Sequence, residues 1–377
     1  MRKPKKILFL TLHVFGATGG IEKVCRIAAK SLYEMTFDEM TKVKLMSMHD
    51  KQEQGNENRF FPTESFLAFG GNRTRFISAA VKEGIKSDIV ILSHINLLLA
   101  GWLIKKISPR TRIIMFAHGI EVWRDLQKHQ LMMISSCDSI FAVSTYTAKI
   151  VNHIKGVGAN RTHVLNNCLD PFLPQKTRGI KHQELRRRYG LSESDTVLFT
   201  LTRLSSKERY KGYDKVIEAM MKIKNEFPDL KYLIAGSYDQ AEKHFLDELI
   251  AKYHLQNNIK LAGFIPEDEL IDHFKMADLY VMPSMKEGFG IVFIEAMFYG
   301  LPVIAGNKDG STDALLNGKL GKLVDPLNTT EIAHAISEML KNKNGFIPDR
   351  NLLLSNFGYD VYKEKFSRLL NSTLDEK

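Results

Sequence analysis

Cysteines, metal-binding motifs and long apolar runs are scarce in this chain of 377 residues, and each absence excludes a class of protein. The three cysteines, Cys25, Cys137 and Cys168, are widely spaced and odd in number, which argues against a disulfide framework or a zinc site. No stretch reaches the ~18 apolar residues needed to span a bilayer. No Asp-x-Asp pair is present to hold a metal ion on a diphosphate. We therefore expect reduced thiols, no metal and no cofactor.

The amino terminus has the beginning of a secretory signal but not the remainder. Residues 1–6 carry four basic side chains, and residues 7–12 are apolar. The apolar run is short, however, and His13 and a glycine-rich segment follow where a cleavage site would be needed. This pattern favours a buried first strand and a cytoplasmic protein, with secretion as the less favoured alternative.

Positive charge is concentrated in the first half of the chain. Residues 1–175 contain 24 Lys and Arg against 14 Asp and Glu, a net charge of +10, whereas residues 176–377 contain 29 of each. A solvated basic surface would account for this excess. The sharper interpretation is that the first half faces anions, either lipid head groups at the inner face of a membrane or a phosphorylated acceptor. Nucleic acid is not indicated, because no zinc-finger spacing, RNA-binding signature or basic heptad helix is present.

Short apolar runs alternate with longer helical patterns along the whole chain. The runs are continuous, which is typical of strands covered on both faces. The rhythm indicates an α/β fold of parallel sheets with right-handed crossovers. The predicted strands are 6–12, 42–48, 88–93, 112–117, 139–143 and 163–165 in a first series, and 197–201, 232–235, 259–262, 279–282, 302–305 and 322–324 in a second.

The rhythm breaks once, at residues 170–182, which contain two prolines, a glycine and several charges. We therefore predict a first domain of residues 1–172, a second of residues 183–358, and a terminal helix in residues 359–377 that crosses back to the first. The two doubly wound domains would face each other across a cleft. Ligands would bind in that cleft, beyond the carboxyl ends of the strands.

The strongest local signal is the segment 283–297, which follows a predicted strand and runs into a helical pattern. After Glu287, glycines let the backbone approach a ligand, and amides at the helix start suit a phosphate or a sugar hydroxyl. Glu295 faces the same direction if the helix begins near Gly290. Two carboxylates suit the paired hydroxyl groups of ribose and hexose. For Glu287 alone, complementing the helix dipole is the alternative.

A second signal combines Arg203 at a strand end with Lys211 at the start of the next helix. Two fixed cations there would neutralise a diphosphate and stabilise it as a leaving group. Lys207 and Arg209 lie in the same loop and are expected to be solvated. The alternative for Arg203 and Lys211 is that they too are surface charges.

A third signal is the glycine-rich segment 15–23 after the first strand. A dinucleotide-binding fingerprint is disfavoured there, because it would need a glycine where Glu22 stands and a carboxylate would repel a pyrophosphate. Asp50, after the second strand, is the one residue that keeps the dinucleotide interpretation open.

Two further loops follow predicted strands. His118 ends a strand of the first domain and is either a sugar-binding or proton-carrying group or a structural histidine. The polar loop 307–313 includes Gly310, which would allow the donor to approach. The alternative is an ordinary loop in which Thr312 or Asp313 caps the next helix.

With these residues in place, the chain resembles the retaining GT-B glycosyltransferases of family 4, the glycosyl transferases group 1. The resemblance covers most of the chain and implies a GT-B fold, with two Rossmann-like domains across a deep cleft. In chain order its motifs are Gly19–Val24, His118 with Gly119, Arg203, Lys211 with Gly212, and the Glu-x7-Glu pair of Glu287 and Glu295.

The resemblance also implies roles for these residues. Glu295 would hold the donor's ribose, Arg203 and Lys211 its diphosphate, and Glu287 the transferred sugar. His118 would lie beside that sugar. The remaining donor contacts would come from Gly20, Gly288, Phe289, Gly290 and Ile291.

One departure concerns the loop 307–313. Many members have two glycines and then a glutamate where this chain has Asp309, Gly310 and Asp313, which puts the donor sugar in doubt. Residues 60–86 match no pattern, so the acceptor stays unidentified.

The sequence thus predicts a hexosyltransferase that moves a sugar from a nucleotide-diphosphate sugar to a lipid-linked or polysaccharide-precursor acceptor, with retention. Two alternatives remain. One is a sugar-nucleotide epimerase of the same fold. The other is a two-domain sugar-binding protein without catalysis, which would ordinarily be exported.

Overall fold

A computed structural model describes residues 5–38, 41–56, 58–154, 156–174 and 182–375. The chain divides into two units. Unit 1 comprises Met1–Pro171 and Tyr359–Lys377, and unit 2 comprises Phe172–Gly358. Much of the proline- and glycine-containing segment predicted at 170–182 lies outside the described residues, as do the first four residues of the basic amino terminus.

Unit 1 is built on a parallel sheet of seven strands in the order β3-β2-β1-β4-β5-β6-β7. The interior strand residues are almost all apolar and buried, as expected for a sheet covered on both faces. The strands are β1 (Lys5–Thr11), β2 (Thr41–Ser47), β3 (Phe66–Ala68), β4 (Ile89–Leu92), β5 (Arg112–Ala117), β6 (Ser139–Ala142) and β7 (Thr162–Val164).

Helices cover both faces of this sheet. Successive strand residues point to opposite faces. On β5, Met115 and Ala117 belong to the core beneath helices α2 to α6, whereas Phe116 meets Phe366 of α15 on the other face. The helices of unit 1 are α1 (Gly20–Asp38), α2 (Arg73–Gly84), α3 (Leu98–Ile107), α4 (Ile120–Trp123), α5 (Lys128–Ile134), α6 (Thr145–Asn152) and α15 (Tyr359–Asp375).

Helix α15 belongs to unit 1 although unit 2 precedes it in the sequence. Phe366 is fully buried, with its ring 5.8 Å from that of Phe116 and 6.2 Å from that of Phe141. The Tyr359 hydroxyl donates a hydrogen bond to Glu34 of α1 at 2.9 Å. The helix is thus held by both an aromatic cluster and polar contacts.

Unit 2 repeats the plan with six parallel strands in the order β10-β9-β8-β11-β12-β13. The strands are β8 (Thr196–Leu201), β9 (Leu230–Ala235), β10 (Ile259–Gly263), β11 (Leu279–Met282), β12 (Val303–Gly306) and β13 (Lys322–Val324). The helices are α7 (His182–Arg188), α8 (Tyr213–Ile223), α9 (Gln240–Lys252), α10 (Leu270–Met276), α11 (Ile291–Phe298), α12 (Ser311–Ala314), α13 (Thr329–Lys341) and α14 (Arg350–Phe357).

The predicted α/β architecture of parallel sheets is confirmed. All twelve predicted strands are present, three with the predicted bounds and the others with bounds shifted by one or two residues. The apolar run at the amino terminus is strand β1, as the strand interpretation expected. The sequence missed β3, a three-residue edge strand in the segment 60–86 that matched no pattern. Among the described residues, no helix is long and apolar enough to cross a membrane.

Each sheet has one point where the strand order reverses. In unit 1 it lies between β1 and β4, and in unit 2 between β8 and β11. Loops that follow two such strands diverge and leave a crevice at the carboxyl edge of the sheet. This topology decides which loops are candidates for binding.

Candidate functional site in unit 2

The loops after β8, β11 and β12 form a cluster at the reversal point of the unit 2 sheet. Lys211, after β8, forms an ion pair with Glu287, after β11. Both side chains are largely buried, with 14% of the Lys211 side chain and 18% of the Glu287 side chain exposed. The structure therefore brings together two of the residues that the sequence singled out, and neither is a surface charge.

Burial alone would favour neutral Lys211. The adjacent Glu287 carboxylate outweighs that effect through its charge and hydrogen bond, and the pKa of Lys211 lies above its ordinary value. The lysine is therefore a fixed cation at neutral pH. It is matched by one carboxylate in the absence of a ligand.

Backbone contacts hold these two loops together. Gly212 has φ of +80°, and a Cβ there would lie 2.3 Å from the Pro283 carbonyl oxygen. Any other residue would both strain the backbone and displace the β11 loop. The Met285 amide donates to the Tyr210 carbonyl at 2.8 Å. The glycine after Lys211 is thus needed for close packing of the loops.

Asp309, in the loop after β12, fastens the third loop to Glu287. Its Oδ2 accepts the Glu287 amide at 2.7 Å, and its Oδ1 accepts the Ser311 amide at 2.9 Å. In return, the Gly310 amide donates to the Glu287 carbonyl at 2.8 Å. The backbone of Glu287 is therefore clamped on both sides.

Asp309 is almost fully buried, and this burial raises its pKa to about 7 from an ordinary 3.8. The amide and hydroxyl donors of Ser311 oppose the shift, and the charge of Glu287 adds to it. The sequence did not name Asp309 as a site residue. The available signal was its position, since an acidic residue stands there where many similar sequences have glycine.

Gly310 and Asp309 both hold this loop in place. A Cβ on Gly310 would lie 2.0 Å from the Gly288 carbonyl oxygen, so its lack of a side chain serves loop packing. Asp309 accepts the Ser311 amide at the start of α12, where the sequence had offered Thr312 or Asp313 as the cap.

Glu295 lies in the middle of α11 with only 5% of its surface exposed. The helix starts at Ile291, directly after Gly290, as the sequence predicted. Gly290 has φ of +86°. Burial holds the pKa of Tyr280 well above its ordinary value, and the charges of Glu287 and Glu295 both add to this effect. Both carboxylates thus lie near one buried tyrosine.

The amides expected to contact a donor lie where this helix begins. Residues 288–291 connect the clamped Glu287 to α11. The first amides of any helix lack acceptors within it, and they carry its partial positive charge. The sequence-predicted donor contacts Gly288, Phe289, Gly290 and Ile291 are therefore contiguous with the Lys211–Glu287 pair.

Arg203 differs from the fixed cation that the sequence predicted. Its side chain is 71% exposed, and its guanidinium lies 3.3 Å from Glu208. It carries charge near the cluster without being held in it. Lys207 is exposed, as expected.

Arg209 was expected to be solvated, and its side chain is 42% exposed, but it is also held by specific contacts. Its Nε donates to the fully buried carboxylate of Glu242 at 2.8 Å, and its guanidinium carbon lies 3.7 Å from the Phe245 ring centroid. Glu242 also accepts the Tyr213 hydroxyl at 2.7 Å. These contacts tie the loop that carries Lys211 to helix α9.

In unit 1, the glycine-rich loop after β1 is organised by Asp50. The buried Asp50 carboxylate accepts the amides of Val14, Phe15 and Gly16 at 2.9 to 3.1 Å. It is therefore committed to the loop after β1, which weighs further against dinucleotide binding. A Cβ on Gly20 would meet no atom within 4 Å, so the space beside it is open.

His118 follows β5 and is buried. Its Nε2 lies 2.7 Å from the Ser93 carbonyl oxygen, and since a carbonyl only accepts, Nε2 donates this hydrogen bond. The His118 amide donates to Glu121 at 2.5 Å. Burial lowers the pKa of the adjacent His94. The charge of Glu121 opposes this shift, whereas the charges of His118 and Arg124 add to it. The ring of His118 is thus oriented, with a neutral histidine beside it.

Metal ligands are not gathered in the described parts of the chain. No three His, Cys, Asp or Glu side chains within those ranges converge as a bound metal ion would require. The three cysteines are separate and buried, and burial raises the pKa of each thiol.

Comparison with known proteins gives two family matches and a set of relatives. The Glycosyltransferase Family 4 model matches residues 18–171, and the Glycosyl transferases group 1 model matches residues 181–353. A GDP-mannose-dependent α-(1-6)-phosphatidylinositol monomannoside mannosyltransferase of Mycolicibacterium smegmatis is 30% identical over 256 residues. That match covers 65% of this chain and 64% of the relative, so it spans less than two thirds of the relative's length.

Two further similarities agree with this. The α-D-kanosaminyltransferase of Streptomyces kanamyceticus is 29% identical over 182 residues, which are 48% of this chain and 46% of the relative. The solved structure of Anabaena HepE with UDP and glucose has a TM-score of 0.76 and 20% identity, covering 98% of this chain and 100% of that chain. The fold is therefore that of the GT-B glycosyltransferases. With both of its halves matched by the family models, the chain belongs to glycosyltransferase family 4, the glycosyl transferases group 1.

Proposed function

We propose that this protein is a retaining glycosyltransferase that moves a hexose-type sugar from a nucleotide-diphosphate sugar to a lipid-linked or polysaccharide-precursor acceptor. The observation that carries the proposal is the buried Lys211–Glu287 pair beside the start of α11. A cation and helix amides suit a diphosphate, and a carboxylate suits sugar hydroxyls. Relatives that are named as sugar transferases support this assignment.

In the proposed reaction, Lys211 stabilises the departing diphosphate, assisted by the exposed charge of Arg203. Glu287 and the amides of 288–291 orient the sugar, and Glu295 binds the ribose. The acceptor oxygen bonds to the anomeric carbon, the bond from that carbon to the phosphate oxygen breaks, and the acceptor proton passes to the departing phosphate. This course is the one that the family resemblance implies, and it needs no protein nucleophile.

The acceptor side of the proposal rests on unit 1 and on one relative. The first half of the chain carries the whole net charge of +10, which suits a phosphorylated or membrane-attached acceptor at the inner face of a membrane. The mycobacterial relative acts on a phosphatidylinositol monomannoside, a lipid-linked sugar. We accordingly place peripheral contact with an anionic membrane in the proposal.

The test is a panel of UDP-glucose, UDP-GlcNAc and GDP-mannose, read by thermal shift and by donor hydrolysis. One donor is expected to raise the melting temperature and to be hydrolysed slowly. The Glu287→Gln variant should weaken turnover of that donor, and the product anomer, read by NMR, should match the donor's configuration. No shift and no turnover with any nucleotide sugar would count against the proposal. Equal turnover by the wild type and Glu287→Gln would remove the site assignment.

A further inference from the structure

One layer of unit 1 differs from the opposite layer in charge. Helices α2 to α6 cover the face of the sheet that contains Met115 and Ala117, and together they carry seven Lys and Arg against two Glu, a net charge of +5. Helices α1 and α15 each carry three basic and three acidic residues, a net charge of zero. Among the helices of unit 1, the net positive charge therefore lies on the layer α2 to α6.

Neither acidic residue of this layer offsets its outer charge. Glu83 pairs with Lys44 of β2 at 2.7 Å. Glu121 accepts the amide of His118. One of the seven cations, Lys105, is likewise engaged, with Asp138 at 2.8 Å. The six remaining cations are all exposed: Arg73, Arg75, Lys82, Lys106, Lys128 and Lys149.

The same layer exposes large apolar side chains among these cations. The exposed fraction reaches 60% at Ile107 and 47% at Leu99, both on α3, and 53% at Met132 on α5. Ile85 at the end of α2 and Ile120 on α4 are also exposed. Half-buried Trp102 lies on α3, with the Lys106 ammonium 5.8 Å from its ring centroid. A solvated basic surface would not need this apolar surface.

We propose that the outer face of helices α2 to α6 binds the surface of an anionic lipid bilayer. Exposed Leu, Ile and Met side chains with an interfacial Trp suit the boundary between head groups and acyl chains, and surrounding lysines reach anionic head groups. The exposed cations indicate an anionic partner. The exposed apolar side chains favour a membrane over a soluble polyanion as that partner. This inference deepens the proposed membrane contact by assigning it to one face.

The experiment measures partition of the full chain onto vesicles of phosphatidylcholine, with and without phosphatidylglycerol. The charge variant is Lys82→Glu, Lys106→Glu, Lys128→Glu, and its control is Lys252→Glu, Lys275→Glu, Lys319→Glu on exposed lysines of unit 2. Both change the net charge equally. Only the first is expected to lower partition onto anionic vesicles, by at least about 100-fold.

A second pair of variants tests the apolar contribution. Leu99→Ser with Ile107→Ser should weaken vesicle binding, whereas Phe264→Ser with Ile347→Ser on unit 2 should not. In a Trp123→Phe background, Trp102 is the sole tryptophan, and its emission should shift to shorter wavelength on anionic vesicles.

Two results would overturn the assignment. One is equal loss of binding in the unit 2 control. The other is binding to soluble dextran sulfate as strong as to vesicles, unaffected by Leu99→Ser and Ile107→Ser. Donor hydrolysis in solution is assayed separately for each variant. If the protein does not bind vesicles but still turns over the donor, the membrane contact at this face is rejected and the transferase proposal stands.

Discussion

The two units have sheets of the same kind but use charged residues differently. At the reversal point of unit 2, Lys211 and Glu287 are buried and paired, and Asp309 clamps the loop between them and α11. At the equivalent point of unit 1, the carboxylate of Asp50 accepts amides of the loop after β1, and exposed cations lie on the outer helices α2 to α6. The same topology thus carries a buried ion pair in unit 2, and in unit 1 an outer layer of exposed cations.

The largest expected effect concerns what holds unit 1 together. Phe366→Ala on α15 should lower the free energy of unfolding of unit 1 by about 3–5 kcal/mol, because it empties the space between Phe116 and Phe141. Chemical denaturation of the full chain measures it. Val361→Ala, at an exposed position of the same helix, is the control and should change little. Similar losses in both would mean that α15 is not anchored by its aromatic face.

The second prediction concerns Lys211, the buried cation of the candidate site in unit 2. Lys211→Ala should lower kcat/KM for the donor by about 100-fold or more, because the leaving diphosphate loses a fixed charge and Glu287 loses its partner. Lys207→Ala, in the same loop but exposed, should cost little. Donor hydrolysis rates for the two variants decide the matter. A comparable drop in kcat/KM for both variants would mean that Lys211 contributes only to the overall charge of the loop.

The third prediction concerns pH and Asp309. Its pKa is raised to about 7 in the folded protein, so the folded state holds the proton more tightly than the unfolded state does. The associated stability is fully present below about pH 4 and is lost as the pH rises through 7. Between pH 5 and 7 this amounts to about 2–3 kcal/mol.

Melting temperatures across that range measure this effect. The decline from pH 5 to 7 should be smaller in Asp309→Asn than in the wild type, since asparagine does not titrate. Asp247→Asn, at a half-exposed position, serves as the control and should keep the wild-type slope. An unchanged slope in Asp309→Asn would show that Asp309 titrates in its ordinary range.

The smallest expected effect tests whether the stability of unit 2 depends on the buried Glu242 carboxylate, which lies outside the candidate site. Arg209→Ala should destabilise unit 2 by about 2 kcal/mol, because the buried Glu242 carboxylate is left with the Tyr213 hydroxyl as its hydrogen-bond donor among the described residues. Lys243→Ala breaks a solvent-exposed pair with Asp247 and should change the free energy of unfolding little. Urea unfolding compares them, and equal costs would contradict the difference between buried and exposed pairs.

The sequence was sufficient for features that depend on local pattern. Continuous apolar runs located twelve strands, and the glycines after Glu287 placed the start of α11 correctly. Strand β3 was missed because three residues at a sheet edge leave no periodicity to detect. The clamp by Asp309 and the Arg209–Glu242 pair were also missed, since each joins loops 22 to 33 positions apart. The charge asymmetry was visible, but its assignment to one helix layer required knowing which face each helix covers.

Helix α15 has a consequence for the order in which the protein is made. It covers Phe116 and Phe141, yet the 187 residues of unit 2 are synthesised before it. At ordinary translation rates, synthesis of unit 2 takes roughly 10–40 s. During that time, Phe116 and Phe141 of the unit 1 sheet are not covered by α15. Unit 2 is contiguous and can close during this interval. The nascent chain therefore passes through a stage in which its later unit is complete while its earlier one still awaits its last helix.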